Sequence, residues 1–199
     1  MNKVLRTLVL SDLFILSSFG LIQPIFAVFI LKNIPGATLT AVGIAATIEL
    51  FTKAVFQIIV GKWTDEEKGN CRELYTLLAG SLLISVVPLG YAFVRTTAML
   101  YFLQFLIGLG QALSYPSWRV LFTRYTSRDR TGYEWGLYDT VVGLGAAAAA
   151  AIGAYVAEQY SFAYLFVFVS AMSFIGAGFL THIFRQEFSC KIPWHKHGR

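Results

Sequence analysis

Six apolar runs divide this 199-residue chain. Each is close to the ~20 residues that an α-helix needs to cross the hydrocarbon of a bilayer. They fall at about 8–30, 39–61, 74–94, 98–123, 134–158 and 161–184. Backbone in hydrocarbon must satisfy its own hydrogen bonds, so runs of this length predict helices rather than open strands. The connections are short and carry turn or charge signals: "KNIPGAT", "DEEKGNCRE", "RTT", "RYTSRDRTG" and "EQYS". Only 14% of the residues are charged, against roughly a quarter in a soluble domain. The expected fold is therefore an all-α integral membrane protein, a six-transmembrane-helix bundle over residues 1–184 with a basic tail over 185–199. The first run is too long for a signal-peptide core and lacks a small-x-small cleavage site, so it reads as a retained helix.

The net charge of +5 is explained by topology. Lys3 and Arg6 precede the first run. Lys62, Lys68 and Arg72 lie between the second and third, and Arg119, Arg124, Arg128 and Arg130 between the fourth and fifth or flanking that loop. Arg185, Lys191, Lys196 and Arg199 follow the sixth. Those thirteen stand against two on the other side, Lys32 and Arg95, with Lys53 inside a run. An excess of Lys and Arg marks the cytoplasmic side. Both termini are expected in the cytoplasm, with the chain multi-pass in the cell (inner or plasma) membrane. The lipid bilayer is the first partner, and no nucleic acid is needed to account for the basic balance. Cys71 and Cys190 make no CxxC or metal-ligand spacing and are expected as two free thiols.

Residues at i, i+4, i+7 and i+11 share a helix face, and on that rule polar residues form stripes inside the runs. In the first, Asp12 and Gln23 share a face with Leu16 and Phe19 between them, and Pro24 should loosen the backbone. In the fourth, Gln104, Gly108, Gln111, Tyr115 and Trp118 share one stripe with Arg119 beside it, and Pro116 should kink the helix. Amides in hydrocarbon are costly unless hydrogen-bonded. The stripe therefore faces either another helix or a water-filled cavity; two amides, a Tyr, a Trp and an Arg in register favour the cavity. Gly108 would leave room for something to approach. In the second run Glu49, Lys53 and Gln57 are spaced by four. Glu before Lys is the better order for a helical ion pair. Two readings stand: a structural pair buried against another helix, or a proton or ion site or partner contact. The fifth run holds "GLGAAAAAAIGA", residues 143–154, with small-xxx-small spacing at Gly145, Ala149 and Gly153 and again at Gly143, Ala147 and Ala151, which suits close helix packing. Glu134 and Asp139 lie near its start, where the helix dipole favours carboxylates, and Asp139 is placed to meet Arg119 or Arg124.

Several chemistries leave no trace in the sequence. It has no phosphate-cradling GxxxxGK[ST] loop and no nucleophile elbow or HExxH. Only His182 lies within a run, so paired His ligation of haem is excluded. No catalytic residue, metal site or cofactor is expected, and the chain does not read as an enzyme.

One loop carries a resemblance. "GKWTD", residues 61–65, ends the second run, and Gly69 and Arg72 precede the third. This resembles the cytoplasmic signature of the major facilitator superfamily, Gly-x-x-x-Asp-Arg/Lys-x-Gly-Arg-Arg/Lys. "GLIQP" at 20–24, "QFLIGLGQA" at 104–112, "YPSW" at 115–118 and "EWG" at 134–136 are also similar to family patterns, in the family's order. The resemblance covers the chain to about residue 184. It implies a bundle of two three-helix inverted repeats that moves a small solute by secondary active transport and alternating access, with a coupling proton or ion as a candidate partner. It makes Gly61, Asp65, Gly69 and Arg72 the gate loop, and it places the first and fourth helices on the cavity. The second and fifth helices, with Glu49, Lys53, Gln57 and Asp139, would face another half. The substrate cavity would comprise Asp12, Gln23, Gln104, Gln111, Tyr115, Trp118 and Arg119, with Arg119 holding an anionic group and Tyr115 and Trp118 supplying stacking surface. The chain departs from the family at Glu66, where a basic residue usually follows the Asp, and at Gln104, where the family has Arg. Family members usually have twelve spans and this chain resembles the first six, so a homodimer or a separate carboxy-terminal half is implied. A truncated, inactive fragment and a non-transporting accessory module are the alternatives.

Overall fold

The computed structural model describes residues 2–66 and 71–187, with side chains through 181. The described residues form α1 (Lys3–Gly20), α2 (Phe26–Asn33), α3 (Leu39–Asp65), α4 (Cys71–Tyr91), α5 (Thr97–Tyr125), α6 (Thr131–Gln159) and α7 (Phe162–Glu187). Six spans are long and apolar enough to cross a membrane, the first made of α1 and α2 together. The first run is interrupted where Pro24 opens a 3₁₀ turn, Gln23–Ile25. Proline has no N–H and its ring crowds the carbonyl four residues back, so the α-helical ladder cannot continue through it. α5 runs unbroken past Pro116, as α4 does past Pro88. Thr38 and Thr96 start α3 and α5 by accepting from the N–H groups of Ala41 and Met99, each at 3.3 Å, as N-caps do. The last helix reaches Glu187, beyond the expected limit of 184. Gly69, Cys190 and tail residues 188–199 lie outside the described residues. Cys71 is disulfide-bonded, not the free thiol expected there.

The helices pack as an arc in the order α3, α5, α4, α7, α1, α6. α4 is central, with eleven of its 21 residues buried. The ends of the arc are sparsely covered: five of 27 residues are buried in α3 and three of 29 in α6. Two apolar cores form. One gathers Phe29, Ile30, Tyr91, Leu100 and Phe166. The other, nearer the chain's start, gathers Leu5, Leu8, Leu74, Leu121 and Phe122. Buried hydroxyls join neighbouring helices: Ser18 with Ser173 at 2.7 Å, Thr76 with Ser117 at 2.5 Å, and Ser170 donating to the Ser85 carbonyl at 2.6 Å. Such bonds are the polar glue of helix packing in membranes.

The two small-residue lines of α6 have different surroundings. Gly145 and Gly153 lie against α1, and a Cβ on Gly153 would run into the Leu21 carbonyl. Gly143 has nothing within 4 Å of its Cβ position, and Ala147 and Ala151 are exposed. Replacing Gly153 with Ala should therefore destabilise the bundle by about 1–3 kcal/mol through overpacking against backbone. Gly178→Ala, on an open face of α7, should change stability by less than about 0.5 kcal/mol. Thermal unfolding of the detergent-solubilised variants checks this, and equal losses would contradict the packing.

Candidate substrate cavity

The inner side of the arc encloses a cavity of ≈ 590 Å³ lined by α1, the Gln23–Ile25 turn, α3, α4, α5 and α6. Of the seven residues expected on it, six line it: Asp12, Gln23, Gln104, Gln111, Tyr115 and Trp118. Glu49 and Lys53, expected to face another half, line it as well. Arg119 is exposed one turn beyond Tyr115, its guanidinium carbon 4.4 Å from the Tyr115 ring centroid. Gln57 and Asp139 do not line the cavity.

Packing of α3 on α5 builds one wall. Both helices run the same way through the bundle, so rising numbers on α3 meet rising numbers on α5. At Gly108 a Cβ would stand 2.5 Å from the Glu49 carbonyl and 2.8 Å from Thr52 Cβ. The room at Gly108 is thus taken by the α3 backbone, not by a solute. This close approach brings Glu49 to the next turn of α5, where Gln111 Nε2 donates to its carboxylate at 2.8 Å. One turn on, Lys53 Nζ lies 4.4 Å from the Tyr115 ring centroid. The helical pair suggested by Glu49 and Lys53 is therefore not a direct ion pair. Glu49 is turned to the amide and Lys53 to the aromatic face.

The opposite wall has a similar neutral partner for its acid. Tyr138 of α6 donates to Asp12 at 2.8 Å. Tyr91 donates to the Gln104 side-chain oxygen at 3.3 Å, leaving Gln104 buried at 3% exposure. Toward the α5 C-terminal end, Trp118 stacks on Phe122 at 4.7 Å and meets Trp135 and Tyr138. Its indole is 5% exposed, so only an edge reaches the cavity and little stacking surface is left. Tyr91, Ser81, Ser114 and Tyr138 line the cavity without having been expected. Tyr138 carried a signal, being seven residues before Gly145 on the face that packs against α1. Ser81, Ile84 and Tyr91 share a helical stripe with Leu77, legible by the same periodicity once α4 is read as a cavity wall.

The Major Facilitator Superfamily pattern matches residues 8–189. The chain belongs to the Major Facilitator Superfamily. No curated protein sequence matches it. Among solved structures, its fold is similar to the in meso crystal structure of the POT family transporter PepTSo, with a TM-score of 0.76 over 92% of this chain. The two are 16% identical, and this major facilitator chain spans 37% of the other's length.

The loop that resembles the superfamily signature has its own contacts. Arg72 donates to the Trp63 carbonyl at 2.9 Å, stands over the Trp63 ring, and lies 3.8 Å from Glu66. It thus ties the start of α4 to the end of α3, while Asp65 is exposed. Arg124 bonds the buried Glu73 at 3.2 Å, and the Ser127 N–H donates to Glu134 at 2.9 Å. Asp139, expected near Arg119 or Arg124, is exposed and forms no ion pair with either among the described residues.

A double-mutant cycle distinguishes the two partners suggested for Glu49. Glu49→Ala with Gln111→Ala should show a coupling of about 1–2 kcal/mol in unfolding stability, as for a hydrogen bond to a charged group. Glu49→Ala with Lys53→Ala should couple more weakly. Stronger coupling to Lys53 would contradict the observed contacts.

Proposed function

We propose that this protein is a half-size secondary transporter that moves a small solute across the membrane by alternating access. The body would be completed by a second copy or by a separate half. The observation that carries this reading is the cavity between the sparsely covered end helices. It holds two carboxylates, a Lys and three amides, and its ≈ 590 Å³ lies within the range of small-molecule sites.

The packing pattern supports a body made of two three-helix inverted repeats. Exchanging the first three spans for the last three turns the α3–α5 contact into α6–α1 and the α4–α5 contact into α7–α1. It leaves α4–α7 unchanged. All five of these are major contacts of the bundle. α3 and α6 correspond under the exchange, and both are exposed, as expected of helices that face another half. In a homodimer two-fold symmetry would bring α3 of one copy to α6 of the other, twice. Transport would then be a rocking of halves about the central site, with the loop of Gly61, Asp65, Gly69 and Arg72 bearing on the cytoplasmic gate. Both termini would lie in the cytoplasm, a reading that the charge bias supports.

Single cysteines at Ala54 and Ala147, exposed on α3 and α6, test the dimer in a background lacking Cys71 and Cys190. Crosslinks between chains in native membranes are expected, and crosslinks confined to one chain would exclude the homodimer. In proteoliposomes, Gln111→Ala and Arg119→Ala should each lower uptake at least tenfold, a change of about 1.4 kcal/mol, while still inserting. The solute followed is whichever one the unaltered protein accumulates from a mixed metabolite pool. Unchanged uptake in both variants would remove this cavity as the solute site.

A further inference from the structure

Lys53 and Arg119 come from different helices and converge on one ring. Each lies 4.4 Å from the centroid of Tyr115, so the two cations are no further apart than twice that distance. Neither forms an ion pair among the described residues. The nearby acids are otherwise engaged: Glu49 accepts from Gln111 and Asp12 from Tyr138. Asp139 is exposed and forms no ion pair among the described residues. Arg124 lies further along α5 and is bonded to Glu73. Two cations beside one aromatic ring repel each other, and the ring quadrupole offsets this only in part. A charge at membrane depth normally finds a partner or lines a water-filled path.

We infer that Lys53 and Arg119, both beside Tyr115, form the binding site for an anionic group on a small solute, a carboxylate or phosphate oxygen pair shared by an ammonium and a guanidinium. The inference rests on the cavity being the solute site of the proposed transporter. The guanidinium supplies planar, paired donors and the ammonium a movable point charge. Tyr115, 38% exposed, offers the ring edge and hydroxyl beside the anion. The apolar body of the solute would extend toward Leu16, Phe19 and Ile107, which line the same cavity. The neutral partners of Asp12 and Glu49 matter to this assignment. Were either acid bonded to Lys53 or Arg119, the cation would already be neutralised. Lys53 is the half of the site that belongs to α3, an end helix, so the grip on the anion depends on how α3 sits against α5.

The test is equilibrium binding to the 199-residue chain in phosphatidylcholine nanodiscs, followed by thermal shift and calorimetry. The probes are benzoate, phenyl phosphate and the neutral isostere benzamide. Concentrations run to about 10 mM, a range that detects even millimolar affinity. Either anion should bind and raise the melting temperature, and benzamide should not. Lys53→Gln and Arg119→Gln should each weaken binding at least tenfold, Lys53→Arg should retain it, and Lys62→Gln, at an exposed lysine beyond the cavity, should leave it unchanged. Melting temperatures without probe verify that the variants fold, and if a glutamine variant does not, the retained binding of Lys53→Arg must be matched by loss in Lys53→Met. Equal binding of benzamide, binding that survives both glutamine variants, or no binding of either anion would overturn the assignment.

A parallel arm with phosphatidylglycerol nanodiscs separates the two sources of such an anion. Competition by that lipid, lost in Lys53→Gln, would identify a lipid headgroup as the occupant; benzoate binding unaffected by the lipid would identify a dissolved solute. The transport reading fails separately. Anion binding without uptake into vesicles would leave the site standing and overturn transport. Uptake of a neutral solute that needs Gln111 but not Lys53 would do the reverse.

Discussion

Hydrocarbon offers no hydrogen-bonding partner, so each polar group carried into the membrane must find one in the protein or in trapped water. Most of this bundle follows from how that demand is met. Hydroxyls close against neighbouring helices, as Ser18 does with Ser173 and Thr76 with Ser117. The two cavity acids take uncharged donors, Gln111 and Tyr138. An ionised side chain at mid-bilayer costs about 2.5–3.5 kcal/mol on insertion scales, and a hydrogen bond from an amide or phenol offsets part of that without using up a cation. Lys53 is left facing aromatic surface, and the cavity is where it and the acids meet. Its polarity is a consequence of which partners were chosen, as well as of which residues are present.

The second determinant is how closely helices approach. Gly108 lets α3 lie against α5, and Gly153 lets α6 lie against the broken end of α1. Both contacts hold an end helix of the arc through one principal neighbour. An element held by few buried residues opens at lower free energy than a central one, so α3 and α6 are the natural moving parts and α4 the natural frame. In the proposed cycle, motion of α3 would carry Glu49 and Lys53 with it and change the cavity's charge geometry. The break at Pro24 gives α1 a second place to bend, next to cavity residue Gln23.

Much of this was legible in the sequence. Six spans and their order followed from run length, because a hydrocarbon slab fixes helix length. The polar stripe from Gln104 to Trp118 favours a cavity wall, and its members Gln104, Gln111, Tyr115 and Trp118 line the cavity. Periodicity on one helix says nothing of which neighbour arrives. The i,i+4 spacing made Lys53 the obvious partner of Glu49, but Gly108 admits α3 so closely that Gln111 reaches the carboxylate first. Charge marks Asp139 in the sequence and not its neighbour Tyr138, yet it is the phenol that faces inward. The stripe alone makes Trp118 an open stacking surface, whereas it is held among Phe122 of its own helix and Trp135 and Tyr138 of α6, neighbours that periodicity on one helix does not supply.

The central claim is that the polar faces of α1, α3 and α5 enclose a wet, solute-accessible cavity and not a dry seam between helices. Single cysteines at Gln111 and Tyr115 in native membranes, probed with a small water-soluble thiol reagent, test it most directly. Both positions should be labelled at rates well above a cysteine at Phe166, buried between helices at 1% exposure. Labelling of positions 111 and 115 no faster than of position 166 would mean that the stripe is sealed against protein, and the cavity would be no site at all.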